Sequence, residues 1–313
     1  MSLSFCYIKV SVPLKLLTVH MNRFLEHTTS NWIHYDQYEW LDTPDGQRYL
    51  LPTPGAKPGA YDPIKEAENL VLSAMDIGLM LFRQEPEEKV QESIKQFACK
   101  YGLFGIMTAL PTTANFVEYE KVYFPHNQLI RAETMETKEY IRLFFPFHAP
   151  DFSKKGVESV WNVSDRAMMP IIMTYRNNPQ AMVMSFMRDY GERYDWLAST
   201  IKDWTFTLIT ATLYYNDKDE LDEETLDLYR KGMSAFEGNA PTYHLELRER
   251  PTMVWDFHSL MLNIKFLFSL MLTDENNPLR ICKQCQKPFI ASEATADFCS
   301  SSCNQKYKGN PKI

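Results

Sequence analysis

The chain has 313 residues, 45 % of them apolar and 13 % aromatic, which is enough for one large or two medium domains with a proper core and excludes a disordered chain. The formal net charge of −7 is unevenly spread: residues 279–313 carry six Lys/Arg against Glu293 and Asp297, a surplus of +4 that leaves −11 for residues 1–278. A mildly basic tail on an acidic body is a weaker electrostatic footprint than a dedicated DNA binder usually shows.

Taken in order, residues 5–12 alternate partly as a strand does, and 14–24 either continue it or turn helical. Residues 38–41 and 48–51 flank Thr43-Pro44-Asp45-Gly46, a hairpin signal with its Asp-Gly turn. Asp62-Pro63 caps and opens a helix carrying Ile64, Ala67, Leu70, Val71, Ala74, Met75 and Phe82 at helical spacing. Pro86 opens the next, with the stripe Val90, Ile94, Phe97, Ala98 and Tyr101, and Gly102 stops it. The aromatic runs 116–124 and 140–147 read as the two strands of another hairpin, and 151–156 as a boundary. From Asn178-Pro179 a helical stripe runs to Leu208, either as one helix or as two broken near Gly191. The acidic connector 217–224 leads to a helix over 223–236, and residues 251–272 read as one central helix, apolar nearly all round. The expected fold is mainly α (α+β), in three regions: 1–150 with hairpins and two helices, a helical 151–278, and a finger at 279–313.

The finger is marked by Cys282-Lys283-Gln284-Cys285 and, thirteen residues on, Cys299-Ser300-Ser301-Ser302-Cys303. Two close cysteine pairs with a short spacer supply the four thiolates of a tetrahedral metal site, and thiolate suits zinc. Free thiols or a disulfide are the plain alternative, and rubredoxin-like iron is disfavoured because the knuckle glycines are missing. Lys287-Pro288-Phe289-Ile290 is a short strand, 292–297 a turn, and Ser300 a cap for a helix carrying Cys303, Lys306, Tyr307 and Lys308 before Gly309 and Pro311. Knuckle, hairpin and a helix holding the last ligands make a treble-clef zinc finger, with Phe289 and Phe298 as its small core. With all four ligands from the protein the site is closed, which marks structural and not catalytic Zn²⁺. Four thiolates on one zinc add −2, which trims the finger to about +2.

The run Leu279-Arg280-Ile281-Cys282-x-x-Cys285-x-x-x-Phe289 followed by Phe298-Cys299-Ser300-x-x-Cys303 resembles the CGNR-type zinc fingers of bacterial proteins, which are similar to stress-induced transcription regulators with a helical domain ahead of the finger. The family's Cys-Gly-Asn-Arg stands here as Cys303-Asn304-Gln305-Lys306. The resemblance implies a regulator that touches DNA. In that case Lys283, Lys287, Lys306 and Lys308, with Lys312, would meet phosphates, and Asn304 and Gln305 would reach base edges.

Other chemistry is sparse. The seven histidines are scattered, His258 reads as a satisfied core or surface histidine, and no Gly-rich phosphate loop, G-x-S-x-G or H-E-x-x-H occurs. No catalytic residue is assigned, and the chain is not expected to be an enzyme; an unrecognised site in the body is the remote third reading. The second reading is a structural or protein-interaction finger, with a protein partner or a homodimer and no nucleic-acid binding. Clustered cysteines, no signal peptide and an apolar stretch at 259–272 interrupted by Lys265 lead to the expectation of a cytoplasmic protein with no membrane partner.

Overall fold

The computed structural model describes residues 28–105, 119–123, 134–148, 188–233, 241–247, 249–257, 259–274, 278–293 and 296–309. The expected strand at 5–12, the boundary at 151–156, and the helix start at 178–179 lie outside them, as do His258 and Lys312.

Five short strands come first: β1 (Thr28–Ser30), β2 (Trp32–Tyr35), β3 (Tyr38–Asp42), β4 (Arg48–Pro52) and β5 (Pro58–Tyr61). The hairpin β3–β4 forms as the Asp-Gly signal requires, with Asp42 opposite Arg48 and the Gly46 N–H donating to the Thr43 carbonyl at 2.8 Å. Strand β2 pairs antiparallel with β5. The Asp62 carboxylate then ties β1 to the start of the next turn, accepting from the Thr29 hydroxyl at 2.6 Å, the Ser30 N–H at 3.1 Å and the Ile64 N–H at 3.0 Å. Because Asp62 holds this turn, helix α1 (Ala67–Phe82) starts one turn later than Asp62-Pro63 alone implies.

Helix α2 (Glu87–Tyr101) buries its whole expected stripe, and Gly102 ends it at a φ of +90°, where an added Cβ would come within 2.5 Å of the Ile33 carbonyl oxygen. Strand β6 (Lys121–Tyr123) pairs with β7 (Thr134–Glu136), and helix α3 (Thr137–Phe144) follows. The second aromatic run is therefore a helix for most of its length, not a strand. Its apolar residues satisfy either period, but Thr137, Tyr140 and Phe144 share a helical face and are buried together. The Thr137 hydroxyl also fixes the helix start, donating to the Tyr119 carbonyl at 2.6 Å.

The second half begins with β8 (Glu192–Arg193) on the edge of β4, then α4 (Tyr194–Asp217) and α5 (Glu223–Met233). Of the two alternatives for 178–208, a single helix through Gly191 does not form: Gly191 donates its N–H to the Phe144 carbonyl, and β8 separates it from α4, which starts at Tyr194. Strands β9 (Thr242–Leu247) and β10 (Pro251–Asp256) form an antiparallel pair, and β1 lies parallel to β10 on its other side. Helix α6 (Leu260–Leu272) follows. The single helix expected over 251–272 is thus a strand and a helix. Thr252, Val254 and Trp255 favour extended backbone, and the Ser259 hydroxyl caps α6 by accepting from the Leu262 N–H at 3.1 Å.

Helices α1, α4 and α6 contribute Leu70, Met75, Ile201, Leu208, Ile264 and Phe268 to one core. Helix α1 lies close on α4 because Gly78 has no side chain: a Cβ there would sit 1.9 Å from the Thr205 Oγ1. Among the described residues the chain is α+β, with seven helices and small sheets, and no helix is long and apolar enough to cross a membrane.

Candidate metal centre

The C-terminal segment opens with β11 (Leu279–Ile281), turns through residues 282–287, and returns as β12 (Pro288–Ile290). The turn is a tight knuckle: the Cys282 N–H donates to the Lys287 carbonyl at 2.9 Å, and the Gln286 N–H to the Cys282 carbonyl at 2.8 Å. With no glycine available, Gln286 takes the left-handed backbone at φ +55°, a conformation that costs a side-chain-bearing residue about 1–2 kcal/mol. The Lys283 N–H reaches the Asp297 carbonyl at 3.0 Å and so fixes the knuckle to the segment that enters the second cysteine pair.

Helix α7 (Ser301–Gly309) completes the segment. The Ser300 side chain caps it as expected, accepting from the Cys303 N–H at 3.2 Å, so Cys299 lies just ahead of the helix and Cys303 in its first turn. Phe298 packs on Tyr307 with ring centroids 5.1 Å apart.

This brings all four cysteines together. Their sulfurs lie within 4.8 Å of one another and all are free thiols. Cys285 and Cys299 are 3.7 Å apart, Cys299 and Cys303 3.6 Å. A tetrahedral ion with metal–sulfur bonds of about 2.3 Å spaces its thiolates about 3.8 Å apart, close to the Cys285–Cys299 and Cys299–Cys303 separations, so the four cysteines could hold such an ion. Burial pushes the Cys282 thiol up, but backbone N–H groups of Cys285, Cys299 and Gln284 outweigh it and bring the thiol down to about 6. Burial and the neighbouring thiols push Cys299 up to about 12 and also raise Cys285. The backbone donors thus favour the thiolate at Cys282, the fully buried member of the four, and a bound cation would favour the charged form of its ligands.

No protein-family model, curated protein or solved structure matches this chain.

The residues expected to meet nucleic acid divide into two groups. Lys283 is paired with Asp297 at 3.2 Å, and Lys287 with Asp76 of α1 at 2.9 Å. Asn304 is half-buried, its N–H on the Ser300 carbonyl. Gln305, Lys306 and Lys308 stand exposed on α7, which buries no residue. Sequence reading missed the residues that join the centre to the body. The Arg83 guanidinium, just after α1, donates to the carbonyls of Gln286 at 3.1 Å and Cys285 at 3.4 Å. Asp76 and Arg83 are seven apart, so they share one face of the α1 helical path, but their partners lie some two hundred residues away and no local pattern announces them. Leu279 and Ile290 complete the junction, the first inside the main core and the second against it.

Proposed function

We propose that this is a zinc-binding protein in which zinc, held by Cys282, Cys285, Cys299 and Cys303, staples the C-terminal segment onto the helical body. The observation that carries the reading is the clasp: Arg83 on the carbonyls of Cys285 and Gln286, and Lys287 on Asp76. The metal knuckle is thereby bonded to α1. The all-thiolate donor set supports zinc over harder cations, and its closed shell supports a structural role. The order knuckle, hairpin and helix-borne last ligand supports a treble-clef finger. The test is metal analysis of the purified chain followed by thermal unfolding with and without a strong chelator. One zinc per chain and a chelator-dependent loss of body stability are expected; a body that melts unchanged after zinc removal overturns the staple.

A second reading rests on α7. Lys306 and Lys308 are exposed and, among the described residues, in no ion pair. Together with the resemblance to the bacterial CGNR-type regulators, this supports a helix that meets the phosphates of DNA, with Gln305 beside them. Lys283 and Lys287 contribute less to that role because their charges are already matched. Fluorescence anisotropy with mixed double-stranded DNA across a salt series decides it: a steep slope that flattens by about one unit per lysine removed supports the reading, and no binding at low salt ends it.

A further inference from the structure

An apolar groove of about 610 Å³ runs between α1, α4 and α5, within the ~300–1,000 Å³ of ligand sites. Its walls are Leu79 and Phe82 of α1, Phe206, Ile209 and Leu213 of α4, and Leu228 of α5. Phe206 and Leu228 are 61 % and 65 % exposed, an unusual placement for such side chains when they gather around one concavity. Helix α5 buries only Leu226 and touches α4 through Tyr229 on Tyr214, so it forms a wall and contributes little to the core.

Lys202, Phe206, Ile209 and Leu213 follow at spacings of four, three and four, so they form one stripe along α4 with the lysine at its N-terminal end. The Lys202 ammonium stands 5.8 Å over the Phe82 ring and has no carboxylate partner among the described residues. Arg83, the residue after Phe82, is taken up by the knuckle carbonyls. Lys202, just outside the lining, is thus a cation without a carboxylate partner among the described residues at the Phe82 end of the groove, and Thr210 and Tyr229 are the hydroxyl-bearing residues of the lining.

The geometry points to a binding site for a single-chain amphiphile with an anionic head, its tail between Phe206 and Leu228 and its head at Lys202. A chain of methylenes gains about 0.8 kcal/mol per buried CH₂, and one cation at one end matches one anion at one end. The site is independent of the metal reading, since it uses none of the finger's residues.

The test uses the full, metal-loaded chain and a fluorescent polyene fatty acid, cis-parinaric acid, displaced by decanoate and by decanol. Saturable micromolar binding is expected. Phe206→Ser and Leu228→Ser, both at exposed positions and checked for an unchanged melting temperature, should weaken it at least tenfold. Lys202→Gln should weaken decanoate several-fold and leave decanol unaffected. Absence of saturable binding, wild-type affinity in both serine variants, or equal loss of acid and alcohol in Lys202→Gln would overturn the proposal. So would sedimentation showing a dimer that Phe206→Ser dissociates, because a second copy would then fill the groove.

Discussion

Truncation of Leu279 to alanine tests whether finger and body are one folding unit. Leu279 is 2 % exposed, belongs to the main core and stands three residues before Cys282, the first of the four clustered cysteines. Removing its three terminal carbons forfeits roughly 2 kcal/mol of transfer free energy. The cavity left behind adds a further term, for a total of about 2–5 kcal/mol. Ile290, opposite it in the hairpin register, is anchored by its own body contacts and cannot easily move in to fill the space. Urea unfolding followed by tryptophan fluorescence reports on the body, because Trp32 and Trp204 are buried there. The midpoint should fall by that amount, and zinc release should move to the same denaturant concentration. Gln305→Ala, exposed on α7, serves as the control, with a shift of less than about 1 kcal/mol. A Leu279→Ala variant whose body midpoint is unchanged while zinc leaves earlier would refute the shared core.

Gly78→Ala should gain up to about 1 kcal/mol of helix propensity and lose more, about 1–3 kcal/mol net, by overpacking against Thr205; adding Thr205→Ala should recover part of the loss in the same melt. Burial raises Tyr140 well above its ordinary value, so the folded state keeps a proton that the unfolded chain releases near pH 10. Stability is therefore intact below about pH 10 and declines above it, and Tyr140→Phe should move the alkaline unfolding transition to higher pH. Zinc removal should unfold α7 and lower the melting temperature of the body, read by circular dichroism. Lys306→Ala with Lys308→Ala should flatten the salt dependence of any DNA binding by about two units, while Lys283→Ala should change it less.

Where a local rule decided the structure, the sequence could be read directly. Asp45-Gly46 marks its hairpin because few residues besides glycine take that backbone cheaply, and the α2 stripe is visible because one face is wholly buried. The cysteine pairs declare their site because ligand spacing is itself local. The failures share a cause. Residues 140–147 and 251–256 are apolar runs too short or too uniform for periodicity to separate strand from helix, and neighbours outside the run settled them: the Tyr119 carbonyl for α3, and β1 and β9 for β10. The clasp of Asp76 and Arg83 was hidden for the same reason, since nothing near them in the chain shows that their partners sit in the knuckle. The charge count showed a surplus in the finger but not that Lys283 and Lys287 spend theirs internally.

The parallel pairing of β1 with β10 joins Ser30 to Trp255 across 225 residues, by a hydroxyl on a carbonyl at 3.0 Å. During synthesis β1 therefore waits for the 225 residues between them before its neighbour exists. Trp32 and Ile33, just beyond it, belong to a core that Leu279 helps to close. Long-range pairings of this kind are slow to form and leave apolar surface uncovered meanwhile. The nascent chain should for that reason keep part of this core uncovered until Leu279 and Ile290, its partner in the β11–β12 register, have been made.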